Sequence, residues 1–179
     1  MTTTNNKRTL LLISLVFVIP VLLAKLFLSL HLYKEGATNQ GQLISPSPNL
    51  TELKMLNNYQ GRWQIVYLLP NECDSRCQQR LYILKQAHTA LGPDQDRVRP
   101  LVLLQRGSDL KALEPFDFEL VVANPEISQW LMDQALVIID PLGSLVMKYP
   151  LTATIELELL QGKALIADMR KMLKLSRIG

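Results

Sequence analysis

Trp63–Leu69 (WQIVYLL) is a nearly continuous apolar run that stops at Pro70-Asn71, and the chain's two cysteines, Cys73 and Cys77, follow at once. Such a run between turn formers reads as a buried strand. From Cys77 onward the pattern turns helical: Leu81, Leu84, Ala87, His88 and Leu91 fall on one stripe, and Gly92-Pro93-Asp94 stops it. The stretch Gly61–Arg80 is therefore expected to be a strand ending in a loop that delivers a Cys-x-x-x-Cys pair to the first turn of a helix.

The later segments extend this pattern. Val98–Leu104 reads as a second buried strand, although Pro100 weakens its first half. A short helical stretch is expected near Leu110–Leu113 and a third strand at Phe118–Ala123. Asn124-Pro125-Glu126 opens a brief helix through Trp130 and Leu131. Leu136–Ile139 and Ser144–Lys148 flank the turn sequence Asp140-Pro141-Leu142-Gly143, as in a hairpin. Ile155–Leu175 has apolar residues at Leu157, Leu160, Leu165, Met169, Met172 and Leu173, with basic residues near its end, and suits a closing helix. A strand–helix–strand opening implies a right-handed parallel crossover, and the hairpin adds antiparallel pairing. The expected fold is α/β, a thioredoxin-like mixed sheet flanked by helices, with the reactive pair at the end of the first strand.

Before this domain comes Leu10–Leu32, a run of 23 residues interrupted only by Lys25 and His31 among polar side chains with long or bulky heads, and by Ser14 and Ser29. As a helix it covers roughly 34 Å, enough to cross the hydrocarbon core with some tilt. Lys25 lies about two turns from the far end, where its stem can snorkel toward the headgroups. Pro20 is compatible with a kinked membrane helix. The competing reading is a cleaved signal peptide, for which Glu35-Gly36-Ala37 makes a poor cleavage site. Lys7 and Arg8 favour a cytoplasmic N-terminus. Gly36, Asn39, Gly41 and Ser45-Pro46-Ser47-Pro48 then suit a tether. The expected organisation is a cytoplasmic N-terminus (1–9), a transmembrane anchor (10–32), a tether (33–58) and a thioredoxin-like domain (59–179). The expected location is the bacterial inner membrane, single-pass, with the domain in the oxidising periplasm.

A net charge of +3, with basic residues divided between the two ends, and 6% aromatic residues argue against a nucleic-acid partner. Cysteines four apart on a helix lie within disulfide reach. Cys73, nearer the helix start, is expected to be the more exposed thiol and the better nucleophile; Cys77 is expected to be buried and to resolve a mixed disulfide. Among the neighbours, Arg76 and Arg80 favour thiolates, while Glu72 and Asp74 oppose them. The pair could instead bind Cu(I) with a third donor. His88 lies three helical turns past Cys77 and is read as a hydrogen-bonded core residue. A structural disulfide is the plain alternative, though a four-residue loop gains little from closure.

The stretch GRWQIVYLLPNECDSRCQQRLYILKQAHTALG resembles the strand–CxxxC–helix core of the Sco/SenC family, membrane-anchored thioredoxin-like proteins of cytochrome c oxidase assembly. LVIIDPLGSLVMKYP is similar to that family's hairpin, and the anchor and tether precede the core in the same order. The resemblance implies that Cys73 and Cys77 match a copper-binding, redox-active pair. It also implies partners among cytochrome c oxidase subunits or their copper-insertion factors. The family has Pro after its second cysteine, where this chain has Gln78, and an Asp-rich segment where this chain has Gln105–Asp109. The position of the family's copper-ligand histidine falls at about Met132, a thioether that can ligate Cu(I) but in an apolar stretch usually packs in a core. Three roles follow as expectations: thiol–disulfide exchange at a partner's copper site, a Cu(I) chaperone using Cys73, Cys77 and Met132, or a non-catalytic subunit of a membrane complex. A peroxidase-like or general thiol reductase role is open to the same pair.

Overall fold

The computed structural model describes residues 3–29 and 39–179. Its first element is the helix α1 (Thr3–Ser29), within which Lys7–Leu26 is long and apolar enough to cross a membrane. The helix runs through Pro20 without ending there. The last residues of the expected anchor, Leu30–Leu32 with His31, lie outside the described residues, as do Tyr33, Lys34 and the weak cleavage site Glu35-Gly36-Ala37. Residues 39–179 form a compact unit of their own.

That unit contains β1 (Gln42–Leu43), β2 (Trp63–Leu69), α2 (Ser75–Ala90), β3 (Val98–Leu104), β4 (Glu119–Val122), α3 (Pro125–Trp130), β5 (Leu136–Ile139), β6 (Leu145–Tyr149) and α4 (Ile155–Leu175). The strands make one sheet in the order β1-β6-β5-β2-β3-β4. β2 is parallel to β3 and antiparallel to β5, and β5 and β6 form the hairpin, so the sheet is mixed. All seven residues of β2 are buried, because the strand is central and both faces are covered. One face packs against α2 and α4 through Ile65, Tyr67, Leu81, Leu84, Leu165 and Met169. The other holds Val66, Leu68, Leu101 and Leu103 under Ile127 and Leu131 of the α3 region and under Leu50. Pro100 is accommodated in β3 because β4 begins to pair only at Leu101, which leaves that stretch of β3 unpaired on one side.

Three sequence expectations change. Residues 39–58, read as part of a tether, are laid onto the domain from Asn39 onward: β1 pairs with β6, and Leu50 is buried. The attachment is polar at its start and apolar farther along, where Ile44, Leu50, Leu53 and Met55 pack on the sheet. The Asp168 carboxylate of α4 accepts hydrogen bonds from the amides of Gln40 (2.9 Å) and Gly41 (2.8 Å) and from the hydroxyl of Tyr149 (2.8 Å). A Cβ on Gly41 would stand 2.6 Å from the Tyr149 ring, so only glycine allows this approach. Burial and the neighbouring Asp168 carboxylate push the Tyr149 phenol far above its usual range and keep it a neutral donor.

The second change concerns α4. Leu157 and Leu160, named among the apolar positions of this helix, are exposed, while Glu158, Gly162 and Asp168 are buried. The helix is rotated by a buried ion pair described below and by a close crossing with α2, where a Cβ on Gly162 would meet Ile83 at 3.1 Å. The third is Met132. It is 68% exposed, because the chain leaves α3 in a turn through Gln134 (φ +54) and no apolar face continues through it.

Candidate redox site

β2 ends at Leu69, and Pro70–Cys73 carries the chain across the end of the sheet into α2. Cys73 is not in the helix; it stands just before the N-cap, Asp74. The Asp74 carboxylate accepts hydrogen bonds from the amides of Arg76 (3.0 Å) and Cys77 (2.9 Å), so the first turn is closed by a side chain from within the Cys-x-x-x-Cys motif. Cys73 and Cys77 are disulfide-bonded, with Cα atoms 5.1 Å apart. Cys73 is half-buried and Cys77 has no exposed surface, since Cys77 joins Leu81 and Leu84 on the inward stripe of α2.

A second loop, Gln105–Asp109, braces the first. Ser108 Oγ donates to the Leu69 carbonyl (2.7 Å), and the Asp109 amide donates to the Pro70 carbonyl (3.0 Å). The Asp109 carboxylate accepts from the amide of Cys73 at 3.3 Å. This is the segment that follows β3, and the parallel pairing of β2 with β3 brings both strand ends to the same edge of the sheet. Sequence reasoning noted Gln105–Asp109 as a departure from a family pattern and missed its contact with Cys73. The only local signal was a Gly-Ser-Asp turn after a strand.

Arg80 sits one turn past Cys77. Read from sequence as a cation available to the thiols, it is instead fully buried and spent elsewhere. Its guanidinium pairs with Glu158 through Nε–Oε2 (2.9 Å) and Nη2–Oε1 (3.1 Å) and donates to the carbonyls of Tyr149 (3.1 Å) and Pro150 (2.6 Å). Glu158 also accepts from the amide and hydroxyl of Thr152 at 2.6 and 2.9 Å. Burial draws the guanidinium below its ordinary range and Glu158 opposes that pull.

Tyr67 lies in the same core with its hydroxyl buried and without a hydrogen-bond partner among the described residues. Burial pushes its phenol above the range in which it could ionise in ordinary buffers. Tyr67→Phe removes a group that is desolvated for nothing, so the unfolding free energy in urea should hold or rise by up to about 1 kcal/mol. A clear fall would show that the hydroxyl has a role in the fold.

His88 is half-buried, and its Nε2 lies 3.2 Å from the Gln95 carbonyl and 3.1 Å from the Val98 carbonyl, the arrangement of a ring that donates to the backbone. Met132 lies ahead of β5, whose antiparallel register with β2 brings its start to the sheet end that carries the cysteine loop. Among the described residues no group of three or more His, Cys, Asp or Glu side chains could hold a metal ion. Once reduced, the two sulfurs are soft donors of the kind Cu(I) takes.

Comparison with solved structures finds the same fold. The solution structure of apo Sco1 from Thermus thermophilus is 16% identical, with a TM-score of 0.52 over 78% of this chain and 99% of that one. Arabidopsis thaliana ScoI with copper bound is 14% identical, with a TM-score of 0.45 over 64% of this chain and 87% of that one. Xanthomonas campestris peroxiredoxin Q is 17% identical, with a TM-score of 0.44 over 63% of this chain and 83% of that one. Among curated proteins none matches the sequence. A family model does match, over residues 63–176, from the first residue of β2 to just past α4. The chain belongs to the family described as the transmembrane-like, thioredoxin-like, C-terminal domain.

Proposed function

We propose that this chain is a membrane-tethered, Sco-like factor in cytochrome c oxidase biogenesis, acting by thiol–disulfide exchange through Cys73 and Cys77 at a partner's copper site. One observation carries the reading: a disulfide-bonded pair at the start of α2 in a thioredoxin-like sheet, with Cys73 partly open to solvent and Cys77 sealed beneath it. The anchor holds the chain in the bacterial inner membrane in a single pass, and the domain faces the periplasm, where such a disulfide persists.

The reaction begins with the pair reduced. The Cys73 thiolate attacks one sulfur of the client's disulfide; that bond breaks, a Cys73–client disulfide forms, and the departing client sulfur takes up a proton. Cys77 then loses its proton and attacks Cys73 Sγ, which re-forms the Cys73–Cys77 bond and releases the second client thiol. Two electrons and two protons pass to the client, and a separate dithiol donor reduces the pair again.

The roles are tested by replacing each cysteine in cells. Cys77→Ser should trap a client in a covalent adduct that reductant cleaves. Both Cys73→Ser and Cys77→Ser should lose oxidase activity at normal protein levels, with recovery on addition of an external thiol reductant. Full oxidase assembly in Cys73→Ser, or recovery with added copper instead of reductant, would overturn the reading.

A further inference from the structure

We propose that Asp74 and Asp109 set the reduction potential of the Cys73–Cys77 pair, by occupying the backbone amides that a thiolate at this helix start would otherwise use. The inference rests on the exchange reading above and gives its direction of electron flow a structural cause. A thiolate at a helix N-terminus is stabilised by amides that have no partner within the helix, and the more it is stabilised, the more readily the disulfide is reduced. Here the amides of Arg76 and Cys77 are bonded to the Asp74 carboxylate, and the amide of Cys73 itself is bonded to Asp109. Two carboxylates thus hold the backbone amides of both cysteines.

The cations nearby do not reverse this. Arg80 is neutralised by Glu158, and its remaining donors go to the carbonyls of Tyr149 and Pro150. Arg76 is the positive group left on the first turn of α2. Reduction of the disulfide therefore builds charge in an unfavourable place, the disulfide is the preferred state, and the reduced pair gives up its electrons readily. The pair is a reductant toward its client, and the donor that recharges it must be a dithiol of lower potential still.

The test is the thiol–disulfide equilibrium of the full-length chain in detergent against a glutathione redox buffer, with Cys73 and Cys77 read by alkylation. Asn keeps an acceptor oxygen for the same amides and removes the charge. Asp109→Asn and Asp74→Asn should each favour the reduced pair by about tenfold, or about 30 mV for this two-electron couple. Glu72→Gln, at an exposed neighbouring carboxylate, should shift the equilibrium by less than about twofold, because what matters is charge placed on these amides. Equilibria unchanged in both Asn variants, or moved toward the disulfide, would overturn the inference, as would an equal shift in Glu72→Gln. The measurement uses no client. A shift of the expected size with normal oxidase assembly in Cys73→Ser would therefore retain the tuning and reject the biological role.

Discussion

Glu158→Gln lowers the unfolding free energy of the domain by about 3–5 kcal/mol, read as a fall in the urea midpoint followed by the fluorescence of the buried Trp63. Glu158 and Arg80 are 1% and 0% exposed, and they form a close ion pair with one hydrogen bond, from Nη2 to Oε1, and Nε at 2.9 Å from Oε2. With the charge on residue 158 removed, the guanidinium stays buried with neutral acceptors alone, the carbonyls of Tyr149 and Pro150 and the side-chain amide oxygen at 158. Thr152 also loses the charge that its amide and hydroxyl serve. The penalty belongs to an orphaned charge, not to the worth of the pair. Replacing both partners with apolar residues, as in Arg80→Met with Glu158→Leu, should therefore cost less than Glu158→Gln alone. If the double variant is the less stable of the two, the pair contributes net stability and the orphaned-charge account is wrong.

Asp168→Ala is expected to cost about 2–4 kcal/mol and to free the segment ahead of the sheet. The Asp168 carboxylate is 3% exposed and is offset by three donors, the amides of Gln40 and Gly41 and the hydroxyl of Tyr149. Each bond to a charged acceptor is worth about 1.5–3 kcal/mol, but the two amides recover water if their segment peels away. The Tyr149 hydroxyl, buried and left with the Met147 sulfur at 3.0 Å, does not. β1 has only two residues, both exposed, so little apolar burial holds it once the carboxylate is gone. Hydrogen exchange should then show loss of protection at Gln42–Ile44, while β2 and β3 exchange as before. Retained protection there would mean that the ladder with β6 suffices to hold the edge.

Both results concern residues that sequence reasoning passed over, and the reason is physical. Amphipathic patterning places the charges of a helix outward, so it gives no sign that Glu158 and Asp168 are buried. Their actual partners are far along the chain: Glu158 is 78 positions from Arg80, and Asp168 is 128 positions from Gln40. The same holds for Asp109, which is 36 positions from Cys73 and reaches it only because β2 and β3 are parallel neighbours. Arg80, assigned by proximity in sequence to the thiols, was claimed by a helix that sequence distance cannot see.

Local chemistry, by contrast, was enough for the main frame. The apolar run at Trp63–Leu69, the stop at Pro70-Asn71, the helical spacing after Cys77 and the Asp-Pro-Leu-Gly turn determine β2, the cysteine loop, α2 and the β5–β6 hairpin, because strand burial, helical period and turn geometry act within a few residues. The length and apolarity of the N-terminal helix are likewise readable directly. Only the tertiary structure decided that Asn39–Asn58 belongs to the domain, that Leu157 and Leu160 face outward, and that the amides at the start of α2 are already taken by carboxylates. Those outcomes depend on which polar groups find partners once distant elements pack, and the desolvation of an unpaired charge outweighs the weak pull of an apolar stripe.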